Sequence, residues 1–107
     1  MAPDIDTVPA SVDALADRVL AAALGTADLL AIYLGDRLGW YDALVADGPL
    51  TADELAQRTS TDVRYAREWL EQQAITGFVA HDAGRFRLDD GAAAEVLTDR
   101  HSLAYGP

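Results

Sequence analysis

The stretch from Ser11 to Leu38 does most to narrow the folds open to this chain. Ser11 is a good N-cap, and an uninterrupted helical signal follows it, with Gly25 as a candidate kink. At 100° per residue, Asp13, Asp17, Asp28 and Gly35 fall on one narrow stripe, with Arg18 and Asp36 beside it. The rest of the circumference is crowded with Leu15, Val19, Leu20, Leu29, Leu30, Tyr33 and Leu34. A surface helix of a monomer shows an apolar face of roughly 100°, and this one is apolar over more than half its girth. It must be covered from two directions, once by its own domain and once by something else. The adjoining Trp40 and Tyr41 add more apolar area than a chain of 107 residues easily covers. A homodimer seam along this helix is the expectation.

The remaining composition narrows the partners. Eighteen acids against eight basic residues, all of them arginine, give a formal charge of −10. That charge opposes phosphate backbones and anionic membranes, so nucleic-acid binding starts with a handicap. With no cysteine, disulfides, thiolate catalysis and cysteine-bound zinc are excluded. Residues 1–10, with Pro3, Pro9 and two aspartates but no basic residue, read as a flexible leader rather than a secretory signal. The longest unbroken apolar run, Leu29 to Leu34, is far short of a membrane span. A cytoplasmic chain without membrane association is expected, with one domain over residues 11–107.

Beyond the first helix the signals are short. A helix is expected over residues 41–46, ended by Asp47-Gly48-Pro49. Thr51 and Glu54 have capping-box spacing, and Leu50 and Leu55 occupy the two positions of a hydrophobic staple, so a helix follows over 52–58. Thr61 is the expected cap of a third helix over 62–76, with Gly77 closing it. The period then changes. Residues 78–80 and 85–88 are strand candidates joined by His81-Asp82-Ala83-Gly84, a hairpin with glycine at the left-handed position. A last helix over 91–97 precedes a polar tail.

Short helix, tight turn, longer helix and hairpin make a winged helix-turn-helix: mostly α, with a small two- or three-stranded sheet and a long preceding helix. The segments ALGTADLLAIYLGDRLGWYDAL, GPLTADELAQRT, RYAREWLEQQAITGF and GRFRLDDGAAAEVLTD together resemble one family. It is the N-terminal winged-helix domain of bacterial, largely actinobacterial, class I S-adenosylmethionine-dependent methyltransferases, similar to small-molecule and plant O-methyltransferases. The resemblance runs from about Ala14 to Leu103, and RYAREWL is its more specific part. It implies a non-catalytic dimerisation and substrate-lid domain. S-adenosylmethionine would bind to a Rossmann-like catalytic domain following the winged helix, and a small-molecule acceptor would be methylated there. In that family such helices interlock between subunits and partly roof the substrate pocket. This makes Leu15, Val19, Leu29, Leu30, Ile32, Tyr33 and Trp40 candidates for the dimer interface or the pocket edge. No two of the eight glycines form a G-x-G pair, so no cofactor loop is expected within these residues. Either the chain is a piece of a larger enzyme, or it is a module without a catalytic half.

The alternative is a dimeric winged-helix transcriptional regulator that binds DNA through Arg64, Arg67, Arg85 and Arg87. On the third helix, Val63, Ala66, Trp69, Leu70 and Ala74 form the expected buried side, and Arg64, Arg67, Glu68, Glu71 and Ile75 the exposed arc. Glu68 and Glu71 stand four residues after Arg64 and Arg67, so each arginine is expected to have its own acid. In the wing, Arg85 and Arg87 are outweighed by Asp82, Asp89 and Asp90. A groove reader needs unpaired cations, which makes nucleic acid an improbable partner. His81 and His101 match no metal-ligand spacing. Ser102 beside His101 is no nucleophile–base pair, and Asp89-Asp90 reads as a helix cap. No catalytic residue, cofactor ligand or metal ligand is expected.

Overall fold

The computed structural model describes residues 11–89, 91–103 and 105–106. The expected leader, residues 1–10, lies outside the described residues, as does Asp90 of the expected cap. The chain divides into two compact units, Met1–Leu30 and Ala31–Pro107. Helix α1, Val12–Arg37, contributes to both and runs unbroken through Gly25. It is capped as expected, with Ser11 Oγ accepting from the Ala14 amide at 3.1 Å. In the first unit every described residue except the half-buried Asp28 is exposed.

The second unit holds the core. After the last turn of α1, Gly39 at φ 75° reverses the chain into α2, Trp40–Asp47. Helix α3, Ala52–Thr59, starts with the full capping box: Thr51 Oγ1 accepts from the Glu54 amide at 3.1 Å and Glu54 Oε1 from the Thr51 amide at 2.9 Å. Both staple leucines, Leu50 and Leu55, are completely buried in the core. Helix α4, Val63–Thr76, is capped by Asp62, whose carboxylate accepts from the Arg64 and Tyr65 amides, and not by Thr61. The Thr61 hydroxyl is used elsewhere, accepting from Trp40 Nε1 at 3.0 Å. An aspartate one residue nearer the helix reaches the same amides with a charged acceptor, which makes it the better cap.

Gly77, at φ 87°, closes α4 as expected. Its closure delays the wing. The amides of Phe78 and Val79 donate back to the Gln73 carbonyl at 3.0 and 3.2 Å, so neither is free to pair in a sheet. Strand β1 is therefore Ala80–Asp82, two residues later than the expected start, and β2 is Arg85–Arg87. They pair antiparallel, Ala80 with Arg87 and Asp82 with Arg85. The turn shrinks to Ala83 and Gly84, at φ 51° and 78°, the left-handed pair of a two-residue hairpin. Leu50 adds a bridge to Phe86 through two backbone hydrogen bonds, of 2.9 and 2.7 Å, giving the wing a minimal third strand. Helix α5, Ala92–Thr98, completes the unit. Its N-cap is Gly91 without a side-chain bond, and the Asp89 carboxylate pairs with Arg87. The result is the expected winged helix-turn-helix: mostly helical, with a long first helix and a small wing.

The core is stitched by polar groups that the apolar pattern does not display. Trp69 Nε1 donates to the Ala31 carbonyl at 2.8 Å, fixing α4 to the C-terminal part of α1. Tyr41 donates to Gln73 Oε1, and both are buried. Gln73 lies seven residues after Ala66, on the same face of α4, so its position was legible although its chemistry hid it. Val63 and Ala74, expected to be buried, are exposed and half-buried.

Candidate functional site

Two surfaces have the composition of interaction sites. The first is the apolar face of α1. Within the first unit Val12, Leu15, Val19, Leu20, Leu24, Leu29 and Leu30 are between 47% and 85% exposed. Val12, Leu15, Ala16, Val19, Leu20 and Ala23 form a continuous apolar row at helical spacing. Within the second unit Tyr33 and Leu34 remain about half exposed, whereas Ile32 packs against the core. Trp40 departs from the other seam candidates. It is 3% exposed, its ring packed against Trp69 at a tilt of 40° with centroids 4.8 Å apart, so it belongs to the core and not to an open seam. One edge of it does line a groove of about 440 Å³ with Ala31, Leu34, Leu38, Tyr65 and Trp69, rimmed by Glu68 and Gln72. The 26-residue α1 is also long and apolar enough to cross a membrane. A count of unbroken apolar residues misses this, because single acids punctuate the run.

The second surface is the helix-turn-helix face. The structure brings Arg64, Arg67, Arg85 and Arg87 to exposed positions on α4 and the wing, each beside an acid. Arg64 pairs with Glu68 at 3.6 Å as its spacing predicts. Arg67 reaches Asp53 of α3 at 3.4 Å in place of the expected Glu71. Arg85 is held by Glu54 at 2.8 Å, and Arg87 by Asp89. Sequence reading missed the two partners on α3, since the turn between α3 and α4 brings Asp53 to Arg67 and the folded wing brings Arg85 to Glu54. Backbone donation from Thr51, more than the nearby Arg85, holds the Glu54 carboxyl below its ordinary range, so the cap and the pair share one ionised group. Exposed pairs of this kind are individually weak. They nonetheless place a counter-charge beside every cation that would meet a phosphate.

Between α3, α4 and the wing lies a small cleft of about 230 Å³, lined by Asp53, Arg67, Glu71 and His81 among others. His81 stacks on Phe86 at 4.5 Å. Among the described residues no group of three or more acidic or histidine side chains could hold a metal ion. His101 sits in a turn after α5, its amide donating to Asp99 at 3.0 Å. The described residues do not fit S-adenosylmethionine. The left-handed glycines, Gly39, Gly77 and Gly84, close three separate turns, and the sheet is a two-stranded hairpin without a strand-to-helix phosphate-type loop. No chemical step is assigned to these residues.

Comparison with known proteins identifies the winged helix. The family model of the Rv2258c-like winged HTH domain matches residues 26–98. No curated protein matches the chain. Among solved structures, CalO1, a methyltransferase in calicheamicin biosynthesis in its SAH-bound form, is 34% identical with a TM-score of 0.64, over 80% of this chain and 26% of that one. The S-adenosylmethionine-dependent methyltransferase SibL in its apo form is 22% identical with a TM-score of 0.65, over 84% of this chain and 30% of its own. PigF with SAH is 20% identical at a TM-score of 0.65, over 85% of this chain and 25% of its own. The last two likenesses concern the fold alone. The chain spans less than a third of the length of each of these structures.

Proposed function

Because the chain belongs to the family of Rv2258c-like winged HTH domains, we propose that it is the N-terminal, non-catalytic dimerisation and substrate-lid domain of an S-adenosylmethionine-dependent methyltransferase acting on a small-molecule acceptor. The observation that carries this reading is the exposed apolar row of α1 on a domain whose helix-turn-helix arginines are all ion-paired. The likeness to CalO1 supports the enzyme class. A second copy of the chain covers the row along Leu15, Val19, Leu29, Leu30 and Tyr33, and the cofactor and the methyl transfer belong to a catalytic domain outside these residues. The domain's contribution is positional: it holds two active sites in fixed relation and helps exclude water. A protein partner fits α1 better than a bilayer does. Arg18 and Asp28 would each cost about 2.5–3.5 kcal/mol near a membrane centre. A cytoplasmic location accords with this.

The regulator reading finds no supporting observation beyond the fold, since its four arginines face acids. The test is the intact mass of the native polypeptide, read with an antibody against this domain. A product several-fold heavier than 11.4 kDa is expected. A native product of 11.4 kDa would overturn the methyltransferase assignment.

A further inference from the structure

We propose that Asp36 anchors a strap formed by the described residues 99–103 and 105–106, which ties the segment after α5 to the corner where α1 gives way to α2. The Asp36 carboxylate accepts from Arg100 Nη2 at 2.9 Å and from the Tyr105 hydroxyl at 2.5 Å. The same guanidinium reaches Asp42, in the first turn of α2, at 3.5 Å, and stands 5.6 Å from the Tyr105 ring centroid. The backbone fastens the other side. The Gly106 amide donates to the Val96 carbonyl of α5 at 2.8 Å, and the Ser102 amide to the Asp99 carbonyl at 3.0 Å. A carboxylate whose side chain is only 18% exposed is costly unless its lone pairs are used, and both donors to Asp36 come from the strap.

The closed strap needs Asp36 ionised and Tyr105 protonated. The hydrogen bond to Asp36, followed by burial, raises the Tyr105 phenol above its ordinary value. A raised phenol contributes stability below the ordinary tyrosine pKa of about 10. That contribution is lost as pH rises through the higher folded value. Asp36 from α1, Asp42 from α2 and Arg100 from the strap itself are the charged groups facing it. Arg100 and Tyr105 lie beyond residue 98, where the family match ends, so the strap is a feature that the winged-helix pattern does not supply. Its consequence is mechanical: the C-terminal end of α1 and the chain beyond α5 move as one piece. In the proposed enzyme, and resting on that reading, Asp36 and Arg100 are positioning residues that couple the last turn of α1 to the segment after α5.

The test compares the 107-residue chain with its Asp36→Asn and Tyr105→Phe variants by amide hydrogen exchange and by ultraviolet titration of phenolate. Asp36→Asn is expected to speed exchange at 100–103 and 105–106 about tenfold and to move the Tyr105 titration toward the ordinary range, with burial and Asp42 still raising it. Tyr105→Phe should speed the same amides and remove one phenolate step, leaving buried Tyr41, which burial also raises, as a late-titrating group. Asp47→Asn, at the Arg58 pair, is the control and should change neither. Unchanged exchange at 100–103 and 105–106 in both variants would overturn the strap. If Asp36→Asn fails to fold, Tyr105→Phe still decides, because Tyr105 is only half-buried. Neither readout depends on self-association, so failure of the strap and failure of the dimer are separable.

Discussion

Gly35 is the tightest point in the helix scaffold. It is buried on α1, and a β-carbon built there would lie 2.4 Å from the Trp69 ring and 2.5 Å from the Tyr41 ring. Both rings are pinned, Trp69 by the Ala31 carbonyl and Tyr41 by Gln73, so neither can step aside. Gly35→Ala gains helix propensity of about 1 kcal/mol but must displace an aromatic ring, an overpacking cost of typically 1–3 kcal/mol or more. We expect net destabilisation and a lower midpoint in thermal unfolding, against a Gly25→Ala control with open space around it, which should be neutral or stabilising. Residues such as these mark the limit of sequence reading. Gly35 falls on the polar stripe of the wheel, seven residues after Asp28, and glycine carries no hydropathy signal to mark that position as buried, whereas its real role is to admit two rings. Trp40 shows a second limit: a large apolar residue after an overloaded helix read as surplus area, whereas it is buried in the core with one edge on the groove beside Leu34 and Leu38.

Among the elements, α3 and the wing share their stability through Glu54. It closes the capping box and holds Arg85, and its carboxyl is lowered chiefly by the Thr51 amide. A lowered carboxyl contributes stability that is fully present above the ordinary glutamate pKa and is lost as pH falls through the lower folded value. Urea unfolding should therefore weaken in acid below about pH 4, and Glu54→Gln should shrink that difference relative to pH 7. An equal acid dependence in wild type and variant would remove the shared role. The capping box, the staple and the Gly77 closure were legible in sequence because each is a local pattern of four to six residues. The start of β1 was not, since Phe78 and Val79 have strand chemistry but their amides belong to the cap of α4. The partner of Arg67 was equally hidden: spacing offers Glu71, while the turn between α3 and α4 delivers Asp53.

For the whole molecule, the decisive contrast is between a neutralised helix-turn-helix face and an uncovered first helix. The amphipathic imbalance of α1 was visible in the amino-acid sequence, because a hydropathy pattern wider than one face reports missing cover without naming its source. Leu30 is 61% exposed, so a charge there costs the isolated chain little. In a seam the same charge would be buried without a partner, a penalty of several kcal/mol. The most direct test is the molar mass by light scattering of the wild-type chain and of Leu30→Glu, with helix content checked by circular dichroism. The account predicts twice 11.4 kDa for the wild type, falling to 11.4 kDa in the variant with helicity retained. A wild type that scatters as a monomer, or a variant whose mass is unchanged, would contradict it.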